Sequence, residues 1–63
     1  INAQDYDGWS ALHFAAASQS YKAVEILLKN NANANLENVN DDKPVDLSSD
    51  TDIVELLNKY TNR

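Results

Sequence analysis

Two apolar stretches with helical spacing organise the chain. Leu12, Phe14, Ala15 and Ala16 follow Ser10, and Val24, Ile26, Leu27 and Leu28 form the second. The first is led in by Asp5-Tyr6-Asp7-Gly8-Trp9. Asp5 and Asp7 favour a turn, and Gly8 can take the positive φ a tight turn needs. Ser10 is a good N-cap, because its hydroxyl can accept from an otherwise unpaired amide of the first helical turn. The pattern predicts a turn, a short helix, a second turn and a second helix. Ala15, Ala16 and Ala17 form a small face that lets the second helix lie close, and Val24, Ile26, Leu27 and Leu28 supply the bulk that covers it. A further helix is expected from Ile53 to Tyr60, with Ile53, Val54, Leu56, Leu57 and Tyr60 apolar and Glu55, Asn58, Lys59 and Asn62 as a polar stripe. Asp52, with Glu55 three residues on, is expected to form an acidic capping box at its start.

The pattern is repeated. At a displacement of 33 residues Asn2 falls on Asn35, Leu12 on Val45, His13 on Asp46, Phe14 on Leu47 and Ala15 on Ser48. After Ser48 the register changes by three, so that Ala23-Val24-Glu25-Ile26-Leu27 matches Ile53-Val54-Glu55-Leu56-Leu57 at a displacement of 30. The second unit has therefore lost three residues where its helices meet, which predicts a tighter pair or a shorter first helix.

With this period, and with Asp5-x-x-Gly8-x-Ser10-Ala11-Leu12-His13-x-Ala15-Ala16, Val24-x-Ile26-Leu27-Leu28 and Asn31-Ala32-Asn33-Ala34-Asn35, the chain resembles the ankyrin-repeat family over essentially its whole length. The resemblance implies an all-α solenoid of stacked helix-turn-helix units joined by β-turn fingers. Residues 1–5 read as the tail of a preceding repeat, 6–38 as a full repeat and 39–63 as a shortened C-terminal capping repeat, so that upstream repeats of the same protein are expected neighbours. Ile1, Ala3, Ala16 and Ala23 are expected to face such a neighbour. Departures from the family pattern are Ala11 for its usual proline, Asn31 for the glycine that closes the second helix, and Gln19-Ser20 for its Gly-His turn. Asparagine tolerates the left-handed C-cap conformation. In the second unit Lys43-Pro44-Val45-Asp46-Leu47 keeps the proline but loses the capping hydroxyl, and Asp41 replaces Gly8. A degenerate last unit suits the end of a solenoid, which must show solvent a face that internal repeats bury.

Charge narrows the partners. The net charge is −5, with five of the ten acids between Asp41 and Asp52, which disfavours nucleic acid and anionic membrane. Apolar runs such as Ile26 to Leu28 are far too short to span a bilayer, and the N-terminus lacks the zones of a signal peptide. Without cysteine there is no disulfide or thiolate metal site. An intracellular setting, cytoplasmic or nuclear, is expected.

Chemistry finds little to work with. The resemblance implies that the lone His13 bonds the Ser10 hydroxyl and nearby backbone, and a single His without Cys cannot assemble a zinc site. Asp41, Asp42, Asp46, Asp50 and Asp52 lack the spacing and central glycine of an EF-hand loop. Ser10, Ser18 and Ser20 have no base beside them except His13, and one glycine cannot make a phosphate loop. No catalytic residue, metal or cofactor is expected, and the chain reads as a non-enzyme.

The expected function is a protein-protein interaction module or scaffold. It would present Tyr6, Asp7, Trp9, Phe14 and Ser18 from one unit and Asn40, Asp42, Leu47 and Asp50 from the next, with acids favouring a basic surface on the partner. Trp9 stands where the family's finger projects and usually carries a polar residue. It reads either as a binding anchor or as packing between fingers. The run Ile1 to Ala16, with the shortened unit around Asp46 to Ile53, also resembles the terminal repeats of myosin-phosphatase targeting subunits, and Asp7-Gly8-Trp9 resembles the apoptosis-stimulating p53-binding group. That resemblance implies the catalytic subunit of protein phosphatase 1 as a partner. Two rivals stay open: a purely architectural cap of the array, and an array attached to an enzyme domain outside this chain. By resemblance Asn35 and Asn2 match an asparagine that a hydroxylase modifies in many ankyrin repeats.

Overall fold

Asp5 closes the first turn. Its Oδ1 accepts from the amides of Asp7 and Trp9, both at 2.9 Å, its carbonyl accepts from Gly8 N, and its own amide donates to the Trp9 carbonyl at 3.0 Å. Gly8 sits at φ +79. The computed structural model describes residues 2–61, and in it the second turn repeats this pattern. Asn38 Oδ1 accepts from Asn40 N and Asp42 N, Asp41 N donates to the Asn38 carbonyl, and Asn38 N donates to the Asp42 carbonyl. Asp41 takes the left-handed place of Gly8 at φ +65, which Asp tolerates better than most side chains do. The turns are pinned together. Val39 N donates to the Asp7 carbonyl at 3.0 Å, and Gln4 Nε2 donates to the carbonyls of both Gly8 and Glu37.

Helix α1 (Ala11–Ala17) starts at Ser10, whose hydroxyl accepts from His13 N while Ser10 N donates back to His13 Nδ1, a reciprocal cap that uses imidazole in place of the usual carboxylate. In the second unit Lys43 has no hydroxyl to offer, but the returning half survives: Lys43 N donates to Asp46 Oδ2 at 3.0 Å. That bond opens a four-residue 3-10 helix, Pro44–Leu47, where the first unit has the seven residues of α1. The difference of three equals the change in repeat register. Pro44 leads it, since proline's fixed φ and missing amide cost nothing at a helix start.

Both ends of the first helix pair use a left-handed residue. After α1, Gln19 at φ +58 lets its own amide reach the Ala16 carbonyl and Ser20 N reach that of Ala15. After α2 (Tyr21–Lys29), Asn31 at φ +70 does the same, with its amide on Leu28 and Ala32 N on Leu27. Gln19 compensates for its strain through its side chain, whose Oε1 accepts from Ser48 Oγ at 3.0 Å and Asp50 N at 3.1 Å, tying the first unit to the second. Gln19→Ala keeps the strain and loses the tie, so it should lower stability by roughly 1 kcal/mol. Gln19→Gly should recover most of that by relieving a left-handed cost of about 1 kcal/mol. Urea titration of both variants checks the order, and a glycine variant weaker than the alanine one would contradict it.

Helix α3 spans Thr51–Tyr60. Its cap is Asp50, whose Oδ1 accepts from Asp52 N and Ile53 N, not the expected Asp52 and Glu55 box. With the helix beginning at Thr51, Glu55 is a turn too far along to reach back, and Asp52 instead places its charge in the first turn, where the helix dipole favours it.

One core joins the units: Leu12, Ala15, Ala16, Val24, Leu28, Ala32, Ala34, Ile53 and Leu57 are buried together, with Ala23, Leu27, Val45 and Leu56 packed against them. Ala16 is wholly buried inside this chain, where a neighbour-facing position was expected. Ala15 and Ala16 alone form the close-packing face, and Ala17 turns outward. Ile26 is half exposed, because α2 presents Val24 and Leu28 to the core and Ile26 lies off that stripe. Ala3 is exposed and Ala23 half-buried, and Ile1 and Asn62 lie outside the described residues. Among the described residues there is no strand, and no helix is long and apolar enough to cross a membrane.

Candidate protein-interaction face

The paired fingers and α1 carry most of the expected site residues. Tyr6 stands fully in solvent at the tip of the first finger, and Asp7 beside it is exposed. Trp9 does not project with them. It is half-buried and lies back on α1, its ring centroid 4.9 Å from that of Phe14 at 48° and 6.0 Å from that of His13 at 40°. Tilted contacts at such distances are the favoured arrangement of aromatic pairs, so this stack holds itself in place without a neighbouring finger. Phe14 keeps 52% of its surface exposed.

His13 is buried and committed. Ser10 N can only donate, so Nδ1 accepts, and Nε2–H donates to the Asp42 carbonyl at 2.8 Å. The 2.8 Å approach of Ser10 Oγ to His13 Nδ1 imitates a nucleophile and its base. Yet Ser10 is buried and its oxygen accepts the His13 amide, so both groups serve the helix cap and the link between units.

The second unit contributes in part. Asn40 is exposed, and Asp42 and Leu47 are half-buried. Asp50, expected in the face, spends its carboxylate on the α3 cap and its amide on Gln19 and Ser48, with Ser18 exposed next to that junction at the end of α1. Sequence reasoning missed Val39. It is 65% exposed, and the 33-residue displacement that aligns Asp5 with Asn38 puts it on Tyr6, so the repeat itself carried the signal. At that displacement Tyr6 is equivalent to Val39, Trp9 to Asp42, and Phe14 on α1 to Leu47 on the 3-10 helix.

Asn2 and Asn35 occupy equivalent places outside this face. Asn2 Oδ1 accepts from Asn33 N at 2.8 Å, and Asn35 is half-buried with its amide on Asn33 Oδ1. Between α2 and α3 a cavity of about 230 Å³ is lined by Tyr21, Asp52, Glu55, Leu56 and Lys59, below the usual size of small-molecule pockets. Among the described residues no group of three His, Cys, Asp or Glu is placed to hold a metal ion. The ion pairs of Lys22 and Lys29 with Glu25, both at 3.9 Å, lie on the surface of α2 and contribute little.

The family profile described as ankyrin repeats (3 copies) matches residues 1–40. A transient receptor potential cation channel subfamily A member 1 homolog of Caenorhabditis elegans is 43% identical over 49 residues, 78% of this chain and 4% of that protein. Neurogenic locus notch homolog protein 1 is 48% identical over 44 residues in Danio rerio, 70% of this chain, and 44% identical over 48 residues in Homo sapiens, 76% of this chain. Each match spans 2% of the Notch protein. The ankyrin repeat domain of Bcl-3, described as a unique member of the IkappaB protein family, superposes with a TM-score of 0.88 and 31% identity, covering 92% of this chain and 25% of that one. The chain thus spans a small fraction of its relatives.

Proposed function

The chain belongs to the ankyrin-repeat family, whose repeats are in general protein-protein interaction modules, and from that premise we propose that it is a non-catalytic binding segment of a longer array. Its binding face is Tyr6, Asp7, Trp9, Phe14 and Ser18 with Val39, Asn40, Asp42 and Leu47. The observation that carries this reading is the exposure of Tyr6, Val39 and Phe14 on two fingers and a helix that backbone hydrogen bonds hold in register. Trp9 and Phe14, already stacked on each other, lose little freedom on docking, which makes them effective anchors. The free acids around them favour encounter with a basic surface.

Tyr6 gives the cleanest test, because a fully exposed side chain can be removed without opening the fold. Tyr6→Ala in the complete array should weaken a captured partner by about 1 kcal/mol or more, roughly fivefold, and leave the melting temperature unchanged. The catalytic subunit of protein phosphatase 1 is the first defined protein to assay, given the resemblance of Ile1 to Ala16 to phosphatase-targeting repeats. Unchanged affinity for every captured protein would remove the fingers from the interface and leave this segment as an architectural cap.

A further inference from the structure

We propose that the finger face takes an arginine-bearing segment of the partner protein, with the guanidinium lying against the Trp9 and Phe14 rings and its N–H groups on the carboxylates of Asp7 and Asp42. The assignment rests on the reading of the fingers as the partner-binding face and names the chemistry that face recognises. Asp7 and Trp9 are brought close because their amides converge on one oxygen, Asp5 Oδ1. The backbone of Asp42 approaches from the second unit, since its carbonyl receives His13 Nε2–H and the His13 ring lies 6.0 Å from that of Trp9. The Asp7 and Asp42 carboxylates make no hydrogen bond or ion pair among the described residues, and neither do those of Glu37 and Asp41 on the same two fingers.

Among the described residues, cations are sparse around the first finger. No Lys or Arg precedes Lys22, and Lys22 and Lys29 pair with Glu25 on α2. Lys43, adjacent to Asp42, makes no ion pair among the described residues. The face is therefore aromatic and predominantly anionic, with Asp7, Glu37, Asp41 and Asp42 against the single Lys43, and a cation is its complement. Arginine fits better than lysine: its planar guanidinium can stack on a ring and present paired donors to carboxylates at once, whereas an ammonium is a compact, strongly hydrated point charge.

The probes are three capped hexapeptides, alternating glycine with arginine, with lysine or with glutamate. The readouts are the fluorescence of Trp9, the chain's one tryptophan, and backbone amide shifts. The arginine peptide should bind about fivefold tighter than the lysine peptide, and the glutamate peptide not at all. It should move the amides of Tyr6 to Ser10 and Val39 to Lys43, and weaken as salt rises from about 50 to 500 mM. The paired variant Asp7→Asn, Asp42→Asn should lose about fivefold or more. It should still fold, since neither carboxylate makes a bond among the described residues. Equal affinity for arginine and lysine peptides, shifts confined to the acidic stretch Asp46 to Glu55, or an unaffected paired variant would each overturn the assignment. If Tyr6→Ala still costs affinity for the native partner while the arginine peptide leaves the finger amides unmoved, the face stands and its arginine chemistry falls. If both fail, the face itself is wrong.

Discussion

Gly8→Ala forces the two fingers apart and lowers stability by about 3 kcal/mol. A Cβ at Gly8 would lie 2.8 Å from Asn38 Cα, 2.9 Å from Val39 N and 3.1 Å from Asn38 C. All three are backbone atoms, so nothing can rotate away, and the second finger must move bodily. The bond from Val39 N to the Asp7 carbonyl then stretches, a loss of about 1 kcal/mol, and an L-residue at φ +79 adds about 1 to 2 kcal/mol of left-handed strain. Gly8→Asn separates the two causes. Asparagine tolerates the positive φ but brings the same Cβ, so it should be nearly as damaging as alanine in a thermal melt. A stable asparagine variant would show that the fingers can part without cost.

Leu12→Ala should cost about 2 to 5 kcal/mol, the range for deleting a fully enclosed leucine side chain. Leu12 is 1% exposed and shares one core with Val24, Leu28, Ile53 and Leu57 from the other two α-helices, so the neighbours that would have to collapse into the space are held by separate elements. A small domain has a stability of only about 5 to 15 kcal/mol, and a short chain has less to lose than most. Ile26→Ala is the matched control. Ile26 is of similar size but half exposed, and its loss should cost under about 1 kcal/mol. Guanidinium midpoints for the two variants should differ widely, and similar midpoints would mean that the core does not run through α1.

How much of the fold is legible in the residues follows from how local each signal is. The turn at Asp5 to Gly8, the Ser10 cap and the left-handed Asn31 are closed by bonds within a few positions, and residue chemistry at fixed spacing suffices to read them. The place of His13 could be read only in part: its bond to Ser10 is local, but the carbonyl of Asp42 that fixes its other nitrogen is 29 residues away. The α3 cap was misplaced because Asp50 and Asp52 are both good candidates, and the choice depends on the bond that Gln19 makes to Asp50 N from the other unit. Trp9 was placed at the finger tip by its position in the motif, while the contact with Phe14 that draws it back depends on two side chains of one unit meeting in space. Val39 was overlooked because a valine in a polar stretch gives no periodic signal of its own. Laying it on Tyr6 through the repeat would have found it.

The most direct measurement of the central claim is Trp9→Ala in the complete array, with partner affinity and melting temperature determined together and Leu12→Ala as reference. Trp9 lies outside the core and packs on Phe14 and His13 at the surface of α1, so its removal should cost about 1 kcal/mol of stability. As an anchor it should cost about 2 kcal/mol or more of binding, roughly a thirtyfold loss. The prediction is a large fall in affinity with a melting temperature well above that of Leu12→Ala. A melting temperature lowered as far as in Leu12→Ala, or an affinity left unchanged, would contradict it.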